Sequence, residues 1–412
     1  MALASALACA LLGGLAAGAG ALEGGPTPST PGGPTVDEVR GADAPGAIDG
    51  EYIVVLKESG ARAAAADELR TTTSVRDLAG SLLSAADAEE ADTRRVFASA
   101  LKGFTLTADR AQARRLAAEP AVAYVEQNRT ERGDDTQQDP SWGLDRVDQR
   151  DLPLNESYRY AETAAGVTAY VVDSGIRVGH EDFGGRASYG YDFVDDDAEA
   201  QDCNGHGTHV AGTVGGETYG MAKKADLVAV RVLNCENRGT TEDVLAGYDW
   251  VAAHAVLPAV ANVSIGGAAT DAKDAAVTGM VEAGVTVAVS AGNDDGDACQ
   301  QSPARAPDVL TVAASTDTDA RWSESNYGDC VDLFAPGADI LSAGIDSDTA
   351  SARKSGTSMA TPHVTGAAAL YLAGHPEATP EEVTKALRSA ATEDRITEAG
   401  AESPNTLLYS RF

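Results

Sequence analysis

The sequence predicts an α/β protein: a doubly wound, mostly parallel sheet with helices on both faces, preceded by a small ferredoxin-like α+β domain. Three observations predict it. Continuous apolar runs at Ala169 to Val172 and Val285 to Ser290 stop abruptly at polar or glycine-rich turns, as strands buried on both faces do. Small-residue stretches at Thr208 to Gly215 and Ser358 to Leu372 follow Gly-flanked turns and suit closely packed helices. Residues 51 to 128 have a different texture, in which short strand-like and helix-like segments alternate.

In chain order, Met1 to Ala21 is apolar and rich in Ala, Leu and Gly, with Ala17-Gly18-Ala19 and Ala19-Gly20-Ala21 as small-residue cleavage candidates. It reads as a secretory signal without a basic n-region. The run is short for a membrane anchor, and no other stretch approaches about twenty apolar residues. Residues 22–50 are rich in Gly, Pro and Thr and read as a flexible linker. In 51–134 the expected elements are a strand at Tyr52 to Lys57, a helix at Ala61 to Leu69, and one or two strands over Val96 to Leu106 broken near Lys102-Gly103. A helix at Ala111 to Ala118 and a strand at Val122 to Glu126 follow. Thr130 to Asp139 is polar and turn-rich, where a processing site is reachable. The remaining 135–412 is expected to hold the large sheet.

Composition excludes some partners. With 31 basic against 63 acidic residues the net charge is −32, which repels nucleic acid and anionic membranes and suits a soluble exported protein.

Three short segments carry the chemistry: Val171-Val172-Asp173-Ser174-Gly175, Asn204-Gly205-His206-Gly207-Thr208-His209 and Gly356-Thr357-Ser358-Met359-Ala360. A serine hydroxyl attacks a carbonyl only when a base removes its proton as the bond forms. His206 suits that role, since a neutral imidazole can take the proton and return it to the leaving amine. Asp173, at the C-terminal edge of a strand, would accept a hydrogen bond from the other ring nitrogen and fix the tautomer. Ser358 opens a helix whose N-terminal N–H groups are free, and Pro362 is placed in its first turn, where proline is tolerated. Asn293, after the second buried strand, is positioned to donate to a developing oxyanion, with the Ser358 N–H as second donor. His209 reads as a buried structural residue, since no third ligand stands at zinc-like spacing. No Gly-x-Ser-x-Gly turn occurs, which argues against an esterase of the α/β-hydrolase kind.

Asp, His and Ser in that chain order resemble the subtilase superfamily. Flanking sequence is similar to its proteinase K branch, nearest the aqualysin-like secreted bacterial enzymes, from about Trp142 to the C-terminus. The residues that carry this include Trp142-Gly143-Leu144-Asp145-Arg146, Gly205 to Gly212, Ala261 to Gly267, Ala291-Gly292-Asn293, Asn326-Tyr327-Gly328, Phe334 to Gly337 and Gly356 to Val364. The resemblance implies a subtilisin-like catalytic domain over 135–412 and, in 51–134, an inhibitory propeptide that also aids folding. It implies a secreted serine endopeptidase, matured by its own active site with a start near Asp135 and monomeric when mature. The end of the propeptide would lead Thr130 to Asp139 through the substrate groove.

In such enzymes an extended protein or peptide substrate pairs with two backbone segments, here Asn237-Arg238-Gly239 and Ser264-Ile265-Gly266. A primary pocket between Ser264 to Gly266 and Ser290-Ala291-Gly292 would take apolar or aromatic side chains. Four cysteines remain after export, and an even number favours disulfides. Three pairings are open in principle; the resemblance selects Cys203–Cys235 and Cys299–Cys330, against the alternative of a reactive thiol at Cys203 near His206. It also implies structural Ca2+, at Pro307, Val309 and Asp332 and at Asp145, Asp148, Gln149, Asn155 and Ser157, all oxygen donors.

Overall fold

The structure is a computed structural model that describes residues 39–42, 47–57, 72–88, 91–130, 133 and 135–412. The expected signal, most of the linker and the expected helix at Ala61 to Leu69 lie outside the described residues. Two compact units divide the chain, Met1–Arg129 and Thr130–Phe412.

In the first unit, strands β1 (Ala47–Leu56), β2 (Asp92–Phe97), β3 (Gly103–Thr107) and β4 (Val122–Arg129) form an antiparallel sheet of order β2-β3-β1-β4. Helices α1 (Thr72–Ala85) and α2 (Arg110–Ala118) complete a βαββαβ succession among the described residues. Val54, Phe104, Leu106 and Val125 from the strands meet Val75, Ala79, Leu82 and Leu116 from the helices in one core. Asp109 and Gln112 close a capping box on α2, satisfying two N–H groups that the helix itself leaves free. The split of 96–106 into two strands follows the sequence reading. Helix α1 was not among the sequence expectations, although Val75, Ala79, Leu82 and Leu83 repeat at helical spacing and are buried.

The second unit is built on a nine-stranded sheet. The strands are β7 (Thr168–Asp173), β8 (Ala187–Asp192), β9 (Asp226–Arg231), β10 (Ala259–Val263), β12 (Thr286–Ser290), β14 (Leu310–Ser315), β15 (Leu333–Pro336), β18 (Thr392–Glu393) and β19 (Thr406–Leu407). Their order is β18-β19-β15-β14-β12-β10-β7-β9-β8, and every pairing is parallel except β18 with β19. Strand β7 is buried on both faces. Ala169 and Val171 join the core with α4 (His206–Gly215) and α7 (Thr357–Gly374), while Tyr170 and Val172 join the core with α5 (Thr241–His254) and α6 (Asp271–Glu282). This explains the uninterrupted apolar run, because neither face of the strand meets water.

From β7 the chain goes to β8 at one edge and back to β9, then crosses to β10 on the other side of β7 and continues through β12, β14 and β15; such a switch point opens a crevice beyond the carboxyl ends. Asp173 is the last residue of β7. Three smaller pairings decorate this unit: β11 (Gly267–Ala268) with β13 (Gln301–Ser302), β16 (Ile340–Ala343) with β17 (Ser351–Lys354), and β5 (Asp135–Gln138) with β6 (Ser157–Tyr160). A short helix, α3 (Trp142–Val147), follows β5, and α8 (Pro380–Ala390) follows α7.

The last of those pairings differs from the sequence expectation for Thr130 to Asp139. Residues 135–138 form an antiparallel ladder with Ser157–Tyr160 and do not line the substrate groove described below. Their backbone finds ladder partners, and Gln137 adds bonds from Nε2 to Thr218 O at 2.9 Å and from Lys223 Nζ to its Oε1 at 2.6 Å. Among the described residues no helix is long and apolar enough to cross a membrane.

Candidate active site

Strand β7 delivers Asp173 to the crevice fully buried, and α4 begins at His206 beside it. His206 Nδ1 lies 2.7 Å from Asp173 Oδ1, which also accepts the Ser174 N–H at 2.7 Å. Two glycines let these turns meet: a Cβ at Gly207 would stand 2.1 Å from Gly175 O. Asp202, which the sequence reading passed over, ties the approach to α4 together. Its Oδ1 accepts from Ser174 Oγ, Asn204 N and Gly205 N, and its Oδ2 from Thr208 N and Thr208 Oγ1, all at 2.6–3.0 Å. An Asp in a polar loop before a helix is ordinary, so only the fold reveals this role.

Ser358 is the second residue of α7. Its Oγ donates to Ser264 O at 3.1 Å, and Ser264 Oγ donates back to Ser358 O at 2.9 Å. The second bond has a covalent cause. Pro362, placed by sequence in the first turn, is the sixth helical residue; lacking an N–H, it cannot bond the carbonyl four residues earlier, which is Ser358 O. Ser264 takes its place, and Asn262 Nδ2 supports Ser264 Oγ at 2.8 Å.

Asn293 follows β12. Its Oδ1 accepts Thr357 N at 2.8 Å and Thr357 Oγ1 at 2.9 Å, so the amide is oriented by its acceptor end and its N–H2 is left to donate. His206, Asn293 and Ser358 line one groove of about 610 Å³, together with Asn237, Arg238, Gly239, Ser264, Ile265 and Gly266. Ser290, Ala291 and Gly292 are all buried around the strand end and do not line it. Between them and Ser264–Gly266 sits an unforeseen side chain, Gln301: its Oε1 would lie 2.6 Å from a Cβ at Gly292 and 3.2 Å from one at Gly266. Gln301 Nε2 donates to Asp294 Oδ2.

Two other histidines are set aside by burial. His209 is pushed down to about 3 and His363 to about 4, so both are neutral, and each bonds a main-chain carbonyl, Ile340 O and Met359 O. Cys203 is joined to Cys235 and Cys299 to Cys330, with Cα separations of 5.0 and 5.3 Å.

The calcium expectations fare differently. At the first group, Asp145 accepts from Asn155 N and Glu156 N, and Asp148 Oδ2 from Arg159 N. Asp148 Oδ1 and Gln149 Oε1 are buried without hydrogen-bond partners among the described residues, and burial, with the Asp145 charge beside it, pushes Asp148 up to about 6. Orphaned oxygens around a desolvated carboxylate fit a hard cation. At the second group Asp332 is less free. Its Oδ2 accepts Thr311 N at 2.8 Å and its Oδ1 pairs with Arg388 Nη1 at 3.1 Å, so an ion shared with Pro307 and Val309 would compete with a guanidinium. Among the described residues no three His, Cys, Asp or Glu side chains cluster as a metal site.

A parallel α/β sheet that gathers an Asp–His pair, a helix-borne serine and an amide donor around one groove defines a serine hydrolase. Comparison with known proteins narrows the class. Residues 164–406 match the subtilase family, peptidase S8, and residues 51–132 match the peptidase inhibitor I9 family. An extracellular serine proteinase of Thermus sp. (strain Rt41A) is 50% identical over 90% of this chain and 92% of its own length. Alkaline serine exoprotease A of Vibrio alginolyticus is 46% identical, over 88% of this chain and 68% of its own. The crystal structure of a cold adapted subtilisin-like serine proteinase, 52% identical, matches 67% of this chain and all of its own with a TM-score of 0.66. The chain belongs to the subtilase family: it is a secreted serine endopeptidase that carries an I9 inhibitor domain ahead of its subtilisin-like unit.

Proposed function

We propose that Ser358 is the nucleophile, His206 its general base and acid, and Asp173 the group that orients and stabilises the imidazolium. The observation that carries this is the 2.7 Å bond between Asp173 and His206 at the edge of the groove that Ser358 also lines. To react, the Ser358 hydroxyl turns from Ser264 O to His206 Nε2; its oxygen then bonds the substrate carbonyl, whose oxygen becomes an oxyanion facing Asn293 Nδ2 and Ser358 N–H. His206 returns the proton to the leaving amine, and water repeats the sequence on the acyl-enzyme.

An extended protein substrate lies between Asn237–Gly239 and Ser264–Gly266, with an apolar or aromatic side chain directed between Ser264–Gly266 and Ser290–Gly292. Entry of that side chain turns Gln301 aside from Asp294. Calcium, held by Asp145, Asp148, Gln149, Asn155 and Ser157, would offset the buried Asp148 charge and give its Oδ1 and the Gln149 Oε1 carbonyl a partner. The I9 domain acts as intramolecular inhibitor and folding aid, and cleavage ahead of Asp135 matures the enzyme as a monomer.

Casein hydrolysis tests the chemistry. Ser358→Ala and His206→Ala should lose several orders of magnitude in kcat with the fold intact. Asn293→Ala should lose roughly a hundred- to a thousand-fold, as known for the corresponding donor in the relative subtilisin, chiefly in kcat. Retention of activity within about tenfold in either of the first two removes the assignment.

A further inference from the structure

In a chain with 63 acidic residues, the groove lining contains no Asp or Glu among the described residues, while Arg238 and Lys273 both belong to it. Lys273, on α6, is 8% exposed. Its Nζ donates to one main-chain acceptor, Ser302 O at 3.2 Å, although an ammonium has three N–H bonds to place. It lies beside β11, 3.6 Å from where a Cβ on Gly267 would stand, immediately beyond the Ser264–Gly266 segment that pairs with substrate.

Two carboxylates flank it on α6, and each gives one oxygen to Arg305, while Asp274 Oδ1 is buried with no hydrogen-bond partner among the described residues. Arg305 Nη2 bonds Asp271 Oδ1 and Arg305 Nε bonds Asp274 Oδ2, each at 2.6 Å. Burial lowers the Lys273 pKa, and the Asp274 charge opposes that shift without a direct ion pair among the described residues. A buried, under-bonded ammonium at a groove wall is stabilised by an incoming anion.

We infer that Lys273 forms an outer acyl-side subsite that binds an acidic substrate side chain, Asp or Glu. This rests on the proteolytic reading of the groove and adds a charge preference to it. Val244, Ala268 and Thr270, which also line the groove, carry no charge, and Arg238 is the second cation there that a substrate carboxylate could meet. Glu and Gln are nearly isosteric, and the ratio between them therefore isolates the charge.

The test is a set of peptides with a fixed cleavage site and Glu, Gln or Lys placed in turn at each acyl-side position, cut by the secreted, matured protein. We expect kcat/KM for Glu to exceed that for Gln by about tenfold at one outer position, as a charge-assisted hydrogen bond gives. The excess should vanish in Lys273→Met, survive in Lys273→Arg and invert in Lys273→Glu. Equal rates for Glu and Gln at every position overturn the subsite while leaving proteolysis intact. A preference unchanged in Lys273→Met overturns the assignment to Lys273, and its loss in Arg238→Gln would move it there. If none of the neutral peptides is cut, the proteolytic reading fails and the subsite with it.

Discussion

Ser264, Ser358 and Pro362 form a unit that no one of them suggests. Pro362 leaves Ser358 O without its helical partner, and Ser264 Oγ fills the position. In Ser264→Ala that part-buried carbonyl loses its partner, at a cost of about 1 kcal/mol. The additional change Pro362→Ala supplies an N–H and should restore much of the loss. Thermal unfolding in a Ser358→Ala background, which removes self-digestion, measures this; a Ser264→Ala loss of the same size with and without the Pro362→Ala change would dissolve the coupling. Asp173, His206, Asn293 and Ser358 were legible because each sits in a short local pattern. Asp202, Gln301 and Lys273 were not, since their roles depend on what distant backbone places against them.

Whole elements were legible where burial is two-sided or small residues repeat, as in β7, β12 and α7. Helix α1 escaped because its polar start masked an apolar face that appears only at helical spacing. For the loop joining α3 to β6, the calcium expectation at Asp145, Asp148, Gln149, Asn155 and Ser157 came from the family resemblance and from no motif of the loop itself. There the pair of orphaned oxygens on Asp148 and Gln149 leads to a definite expectation. Calcium at one hundred times its Kd should stabilise the Ser358→Ala protein by about 2.7 kcal/mol, and Asp148→Ala should remove that increment. Titration of Tm with calcium and with chelator checks it; the same calcium-dependent shift in Asp148→Ala would put the ion elsewhere.

At the level of the whole molecule, the sequence separated two domains by texture, and the structure divides at Arg129 and Thr130. The net charge of −32 was also plain, but its relief inside the groove required the fold. Covalent linkage of inhibitor and enzyme gives a millimolar-range effective concentration for a short connection, so the first bond cut is expected to be the chain's own. Purified Ser358→Ala precursor should remain full length apart from signal removal, and separately expressed 51–134 should inhibit the matured enzyme. Processing of the Ser358→Ala chain near Asp135, with no other protease present, would require an external convertase instead.

The pairing of β5 with β6 bears on how long such an enzyme survives among its own copies. With the cut ahead of Asp135, the severed end is held by the Ser157–Tyr160 ladder and pinned through Gln137 to Lys223 and Thr218. A neighbouring copy can trim only a segment that peels away and lies extended in its groove. This end has to surrender its ladder first, so a crowded solution of the mature enzyme should erode from other points of its surface before it erodes from the place where it was born.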